Sequence, residues 1–209
     1  WVNFPVPMYN KLYYDSTDYV VSIYKVTEEI VRTCSPDNFG THISHAVNST
    51  FFKKLKNADD LEKVNAVREN IVNTSREFNN PRKKIFFWNN RNARRKQSGT
   101  LIWWFKEWLD KVGHDKATLL MHTDAQDPHG QDLPHIMERL KIIDGQVLLS
   151  TNKITPQELA ALYNASDYTI NISDAEGFGL STLESLACGT PIIVNMTGGL
   201  QEQVTNGTE

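Results

Sequence analysis

Cysteine is scarce in this chain. Cys34 and Cys188 are the two among 209 residues, and they stand far apart in no metal-binding or redox spacing. Both are read as reduced thiols, with Cys188 buried on a helix. Charge of one sign is lacking too. The net charge is −3, so the bulk balance makes no case for nucleic acid or an anionic membrane as partner. No apolar run approaches the ~18 residues of a membrane span, and no secretory leader pattern is present. The triplet Asp-x-Asp is absent; Asp174-Ala175-Glu176 is the nearest approach to it. Six Asn-x-Ser/Thr sequons occur, at Asn48, Asn73, Asn164, Asn171, Asn195 and Asn206. Asn171 falls in a strand expected to be buried, so glycosylation is not expected there, and all six are read as incidental in a reduced compartment. The expected location is cytoplasmic, or peripheral at a membrane surface. Apolar residues make up 40% of the chain, an ordinary share for a globular protein. The chain starts at Trp1 and stops at Glu209 just after a helix, so we expect a piece of a longer protein, one full domain and part of another.

What is present is concentrated between Asn164 and Val204. DYTINIS reads as a short buried strand, LESLACG as a helix stopped by Gly189, and PIIVN as a second buried strand. Gly198 and Gly199 open the loop that follows. Between the first strand and the helix lies Glu176 to Glu184, EGFGLSTLE. Gly177 and Gly179 let the backbone approach a ligand, and the helix start near Leu180 offers N–H groups suited to phosphate. Glu176 and Glu184 would repel phosphate, so hydroxyls of a sugar and a ribose are their natural partners. An ordinary α/β unit with a tight turn accounts for the strands and glycines, but not for two glutamates at this spacing.

This segment resembles the donor-binding motif of family-4 retaining glycosyltransferases of the GT-B fold. Their E-x7-E pattern, followed by A-x-G-x-P, is matched by Glu176, Gly177, Phe178, Gly179, Leu180 and Glu184, then Ala187, Gly189 and Pro191. A second match lies upstream. The family carries an Arg after the first strand of this domain and a Lys five residues later; Arg91 and Lys96 have that spacing. The family usually places Gly after the Lys. Here Gln97 stands there, which leaves Arg95 as an alternative to Lys96. Taken alone, the basic loop is more simply a solvated one; beside the glutamate motif, a diphosphate clamp is favoured. A third, weak match is the interdomain link, P-H-G-V-D-x-x-x-F in the family, set against His45, Ala46, Val47, Asn48 and Phe52. A structural histidine explains His45 equally well.

Along the chain, a strand is expected around Tyr19–Ile23 and a helix over Lys25–Thr33. A surface helix follows, with Leu61, Val64, Val67 and Ile71 on one face and Asp59 or Asp60 as its cap. The run Arg82–Lys84 reads as a solvated face. IFFWNN, from Ile85, is a buried strand. The next helix carries a stripe of Leu101, Phe105, Trp108 and Val112, and its tryptophans are read as core. ATLLMHT and QVLLS are strands separated by the helix DLPHIMERLK. His122, Asp124, Asp127 and His129 fit no standard metal set, so no metal site is assigned. Thr155, Pro156 and Glu158 open a further helix with a capping box.

From Ile85 onward strands and helices alternate, which gives an α/β fold with a parallel sheet flanked by helices. The resemblance implies more: a GT-B, Rossmann-like donor domain over residues 84–209, preceded by the tail of a second Rossmann-like acceptor domain at 1–50 and a linker with surface helix at 51–83. It implies transfer of a sugar, with retention, from a nucleotide diphosphate sugar to an acceptor hydroxyl. The roles that follow are catalytic for Glu176, Arg91 and Lys96, with Glu184, Gly177, Phe178, Gly179, Leu180, Arg95 and Gly199 as donor contacts. No cofactor or metal is expected, the cations standing in for a metal ion. The expected partners are the donor and an unknown glycan, lipid or small-molecule acceptor. With most of an acceptor domain absent, these residues alone should bind nucleotide without transferring sugar. A sugar-nucleotide epimerase of the same fold and a non-catalytic nucleotide-sugar module are the alternatives. A dinucleotide oxidoreductase fits poorly, because the one G-x-G, at Gly177, continues with Leu, Ser and Thr and comes late.

Overall fold

The structure, a computed structural model, describes residues 7–205. Trp1, Asn206 and Glu209 lie outside them. In chain order the elements are α1 (Lys11–Asp15), β1 (Val20–Ser22), α2 (Lys25–Cys34), β2 (Phe39–His42), α3 (Ala58–Val72), β3 (Lys84–Asn89), α4 (Ser98–Val112), β4 (Ala117–His122), α5 (Leu133–Leu140), β5 (Val147–Ser150), α6 (Pro156–Ala165), β6 (Tyr168–Asn171), α7 (Leu180–Ala187), β7 (Ile192–Val194) and α8 (Leu200–Thr205). They form two compact units that interleave along the chain. The larger takes Val47–Ser173 and Ser181–Val194; the smaller takes Trp1–Ala46, Asp174–Leu180 and Asn195–Glu209.

In the larger unit five parallel strands are ordered β5-β4-β3-β6-β7. Parallel strands need crossovers, and both sheet faces must then be covered. The alternation along β3 sorts the two faces. Trp88 points into a core shared with Leu101, Ile102, Phe105 and Leu109 of α4, Leu133 and Met137 of α5, and Leu119 and Met121 of β4. Ile85 and Phe87 point the other way, into a core with Ile71 and Val72 of α3, Ala160 and Tyr163 of α6, Phe52 and Cys188. Asn89 continues the second series, so it faces α6 at the carboxyl end of the strand.

Several expectations need correction here. The buried stripe of α4 is Leu101, Ile102, Phe105 and Leu109. Trp103, Trp104, Trp108 and Val112 are all exposed, as is Leu61 of α3. A 3.6-residue period tolerates a neighbouring phase, and Ile102 and Leu109 set it. The cap of α3 is Asn57, whose side chain accepts from the Asp60 N–H. Lys83 is 1% exposed. Arg82 and Lys84 are exposed, Lys84 pairing with Asp167 at 2.8 Å, so Lys83 is the one residue of Arg82–Lys84 that departs from a solvated face. Residues 51–83 were expected as a linker; Phe52, Ile71 and Val72 from that stretch lie in the core of the larger unit.

In the smaller unit β1 and β2 pair in parallel. Val31 and Cys34 of α2 are buried. His42 of β2 lies 3.9 Å from the Glu202 carboxylate of α8.

Candidate functional site

The loop 174–180 leaves the end of β6 and leads into α7. It is held by the segment that follows β7. Thr197 Oγ1 donates to the Asp174 carbonyl at 3.0 Å, and the Gly199 N–H donates to the Gly177 carbonyl at 3.1 Å. Gln203 Nε2 donates to the carbonyls of Phe178 and Gly179 at 2.7 and 3.0 Å. In a trans peptide the following N–H points opposite to the carbonyl. Fixing the carbonyls of Gly177, Phe178 and Gly179 therefore turns the N–H groups of Phe178, Gly179 and Leu180 away from the 197–203 segment. Two glycines make this packing possible. A Cβ on Gly199 would sit 2.6 Å from Phe178 Cα, and one on Gly198 would collide with the Glu176 carbonyl. Gly179, just before α7, has φ 89°, a left-handed conformation that glycine adopts without penalty. Phe178 is buried against His45, ring edge to face at 5.3 Å. His45 thus has the structural contact that was one of its two readings.

Glu184 lies on α7 in the larger unit, where its carboxylate is held from below. Tyr163 OH donates to Glu184 Oε2 at 2.8 Å, and Asn89 Nδ2 donates to the Tyr163 oxygen at 2.9 Å. Burial pushes the Glu184 carboxyl above its ordinary value, and the Tyr163 hydrogen bond opposes that shift. Tyr163 itself is raised well above the usual phenol range by burial and the neighbouring carboxylate, so its hydroxyl stays a donor. Neither Tyr163 nor Asn89 was singled out in the sequence. An apolar helical position hid the first; the polar residue ending an apolar strand at Asn89 was the available signal.

The basic loop leaves β3 at the neighbouring position in the sheet. Lys96, 6% exposed, donates from Nζ to Asn90 Oδ1 at 2.8 Å. Gln97 adopts φ 55°, the left-handed conformation that explains why glycine is usual there. Lys96 thereby keeps the place before the left-handed residue, and Arg95 is exposed. Arg91 donates from Nε to Asp127 Oδ2 at 2.6 Å, and its Nη2 reaches His129 Nδ1 at 2.9 Å. The guanidinium and the His129 N–H hold the Asp127 carboxyl far below the usual carboxylate range. Asn92, also missed, is fully buried; its Nδ2 donates to the Gln131 carbonyl at 2.7 Å, tying this loop to the one after β4, and its Oδ1 accepts from Ser98 Oγ at the start of α4 at 2.7 Å. His122 pairs with Ser150 Oγ at 2.9 Å, and Asp124 Oδ1 accepts from the Gln126 N–H at 3.1 Å.

At the carboxyl edge of the large sheet, three buried polar atoms have no hydrogen-bond partner among the described residues: Asn90 Nδ2 after β3, Thr123 Oγ1 after β4 and Asn171 Nδ2 at the end of β6. An unpaired buried group of this kind costs about 1–3 kcal/mol, so three on adjacent strands mark an edge suited to polar partners. Open α/β sheets bind ligands at that edge. The structure thus groups Glu184 with Tyr163 and Asn89, Lys96 with Asn90, and Arg91 with Asp127 in one unit. It groups Gly177, Phe178 and Gly179 with Gly198, Gly199 and Gln203 in the other.

Known proteins share stretches of this sequence and its fold. An 81-residue stretch is 40% identical to alpha-monoglucosyldiacylglycerol synthase of Streptococcus pneumoniae, covering 39% of this chain and 18% of that protein. A 50-residue stretch is 50% identical to D-inositol 3-phosphate glycosyltransferase of Streptosporangium roseum, covering 24% of this chain and 12% of the relative. Among solved structures, sucrose-phosphate synthase of Thermosynechococcus elongatus superposes with a TM-score of 0.71 at 24% identity, over 95% of this chain and 45% of that one. Anabaena HepE, solved with UDP and glucose, superposes with a TM-score of 0.68 at 14% identity, over 89% and 46%. The chain therefore spans less than half the length of these proteins, and the fold it shares with them is that of the GT-B glycosyltransferases. The family model for glycosyl transferases group 1 matches residues 74–209, and the chain belongs to that family.

Proposed function

We propose that this protein transfers a sugar from a nucleotide diphosphate sugar to an acceptor hydroxyl with retention of anomeric configuration, as a family-4 enzyme. The observation that carries the reading is the E-x7-E pair, Glu176 and Glu184, set on either side of the left-handed Gly179 turn that opens α7. In this reading Glu176 accepts hydrogen bonds from sugar hydroxyls and Glu184 from the ribose. The N–H groups of Gly179 and Leu180, turned away from the 197–203 segment, face the diphosphate. Charge builds on the leaving phosphate as its bond to the anomeric carbon breaks, and preorganised donors stabilise it.

Lys96 supplies the point charge. Its Nζ is already fixed by Asn90, so little order is lost on binding. Arg91 supplies the forked cation. Its Nε and Nη2 are committed to Asp127 and His129, which leaves Nη1 for the phosphate. With two cations five residues apart and no Asp-x-Asp in the chain, we propose a metal-independent reaction. Residues 84–209 act as the donor domain, with Phe52, Ile71 and Val72 of the preceding stretch in its core, and residues 1–50 as part of the acceptor side.

Incubation of the full-length protein, with both GT-B domains, and a radiolabelled nucleotide sugar tests the reading. UDP-glucose is the first donor to try, because HepE is solved with UDP and glucose. Transfer to an acceptor with the anomeric configuration kept is the expected product. Recovery of an epimerised donor, or of donor bound and unchanged, would replace the proposal by one of its alternatives.

A further inference from the structure

We infer that Tyr163 is a positioning residue for Glu184, and that Asn89 sets the direction in which it acts. The inference rests on the reading of Glu184 as the ribose-binding carboxylate. It starts from the donor and acceptor inventory. A tyrosine hydroxyl has one proton to give and also accepts. Asn89 Nδ2 donates to the Tyr163 oxygen at 2.9 Å, and an amide nitrogen cannot accept in return. The Tyr163 proton is therefore left for Glu184 Oε2, at 2.8 Å. The polarity runs one way, from strand to helix to carboxylate.

Each member is fixed by packing. Asn89 ends β3, on the face that Ile85 and Phe87 share. Tyr163 is fully buried, its ring packed edge to face against Phe87 at 5.0 Å and Phe52 at 6.3 Å. Its carbonyl accepts from Thr190 Oγ1 at 2.6 Å, which ties α6 to the segment before β7. With Oε2 held, the Glu184 carboxylate cannot rotate about its terminal torsion without breaking a buried hydrogen bond. That torsion is otherwise broad and soft. The other oxygen, Oε1, is then presented to a ligand hydroxyl at a set angle. The hydrogen bond also opposes the burial that favours the protonated carboxyl.

The test is a ratio of affinities, because the ratio separates positioning from general loosening. Calorimetry on the 209-residue chain would first find the tightest binder among UDP, GDP and ADP, then compare it with its 2′,3′-dideoxy counterpart. A carboxylate holding both hydroxyls should give wild type a preference of roughly 10- to 100-fold for the ribonucleotide. Tyr163→Phe keeps the ring and removes the proton; the preference should fall about 5- to 10-fold, with dideoxynucleotide affinity unchanged. Asn89→Asp, a second variant that leaves the aromatic packing intact, offers the Tyr163 proton a competing acceptor and should shrink the preference in the same way. A structural defect would weaken both nucleotides together and leave the ratio alone, and that outcome overturns the inference. So does a full preference in Tyr163→Phe and Asn89→Asp when Glu184→Gln abolishes it; the reading of Glu184 then stands. If Glu184→Gln leaves the preference intact, or no nucleotide binds, the ribose assignment falls and this inference falls with it.

Discussion

Glu184 and Asp127 are carboxylates in opposite electrostatic settings, and the difference predicts opposite responses to pH. Burial raises the Glu184 carboxyl above its ordinary value. A raised acid favours folding below the unfolded pKa, and that contribution is lost as pH rises through the folded value. Asp127 is depressed by Arg91 and the His129 N–H. Its contribution is present above the unfolded pKa, about 4, and is lost as pH falls through the folded value. Melting temperatures taken across pH 3 to 8 should therefore show Glu184→Gln gaining on wild type as pH rises, and Asp127→Asn gaining as pH falls. At the binding step, Glu184→Gln keeps shape but loses charge-assisted acceptance. Nucleoside diphosphate affinity should drop by about 1–3 kcal/mol in calorimetry. Unchanged affinity would remove Glu184 from the site.

Among the elements, α6 is specified most locally. Thr155 accepts from the Glu158 N–H while Glu158 Oε2 accepts from the Thr155 N–H at 2.7 Å, a full capping box followed by Pro156. Thr155→Ala should lower unfolding stability by ~1 kcal/mol in a urea titration. Because α6 carries Tyr163, the same change should loosen Glu184 slightly. Gly198 is a different case. Its φ of 52° and the crowding by the Glu176 carbonyl leave no room for a methyl group. Gly198→Ala should cost more than the roughly 1 kcal/mol of a simple glycine replacement, since backbone must shift. Nucleotide binding should weaken with it, because the displaced atom belongs to the Glu176 loop. Retained affinity would show that the loop's position does not matter to the donor.

For the whole molecule the question is what neutralises the diphosphate. If Lys96 and Arg91 do so, the activity of the protein with its acceptor should survive EDTA. Lys96→Ala should lower kcat by about 10²- to 10³-fold while changing nucleoside binding little, because leaving-group charge is greatest in the transition state. Arg95→Ala is the control and should be mild, since Arg95 is exposed and Gln97 already occupies the left-handed position after Lys96. Damage by Arg95→Ala with a mild Lys96→Ala would reverse that register. Loss of activity in EDTA with rescue by Mn²⁺ would redirect attention to Asp174 and Glu176.

The alternation of strands and helices, the capping box, the glutamate motif and the basic loop were legible in the residues alone. These are local signals, carried by residues within a few positions of one another: period-2 and period-3.6 patterns, turn glycines, and fixed spacings. Which phase of α4 is buried was decided by packing against β3 and β4, so Ile102 and Leu109 went inside while Trp104 and Trp108 stayed out. Tertiary structure alone also paired Arg91 with Asp127, 36 residues away, and buried Lys83. It placed Tyr163 between Asn89 and Glu184, residues 74 and 21 positions distant. Such contacts join elements through crossovers, and no periodicity encodes which side chains meet when three elements close on one another.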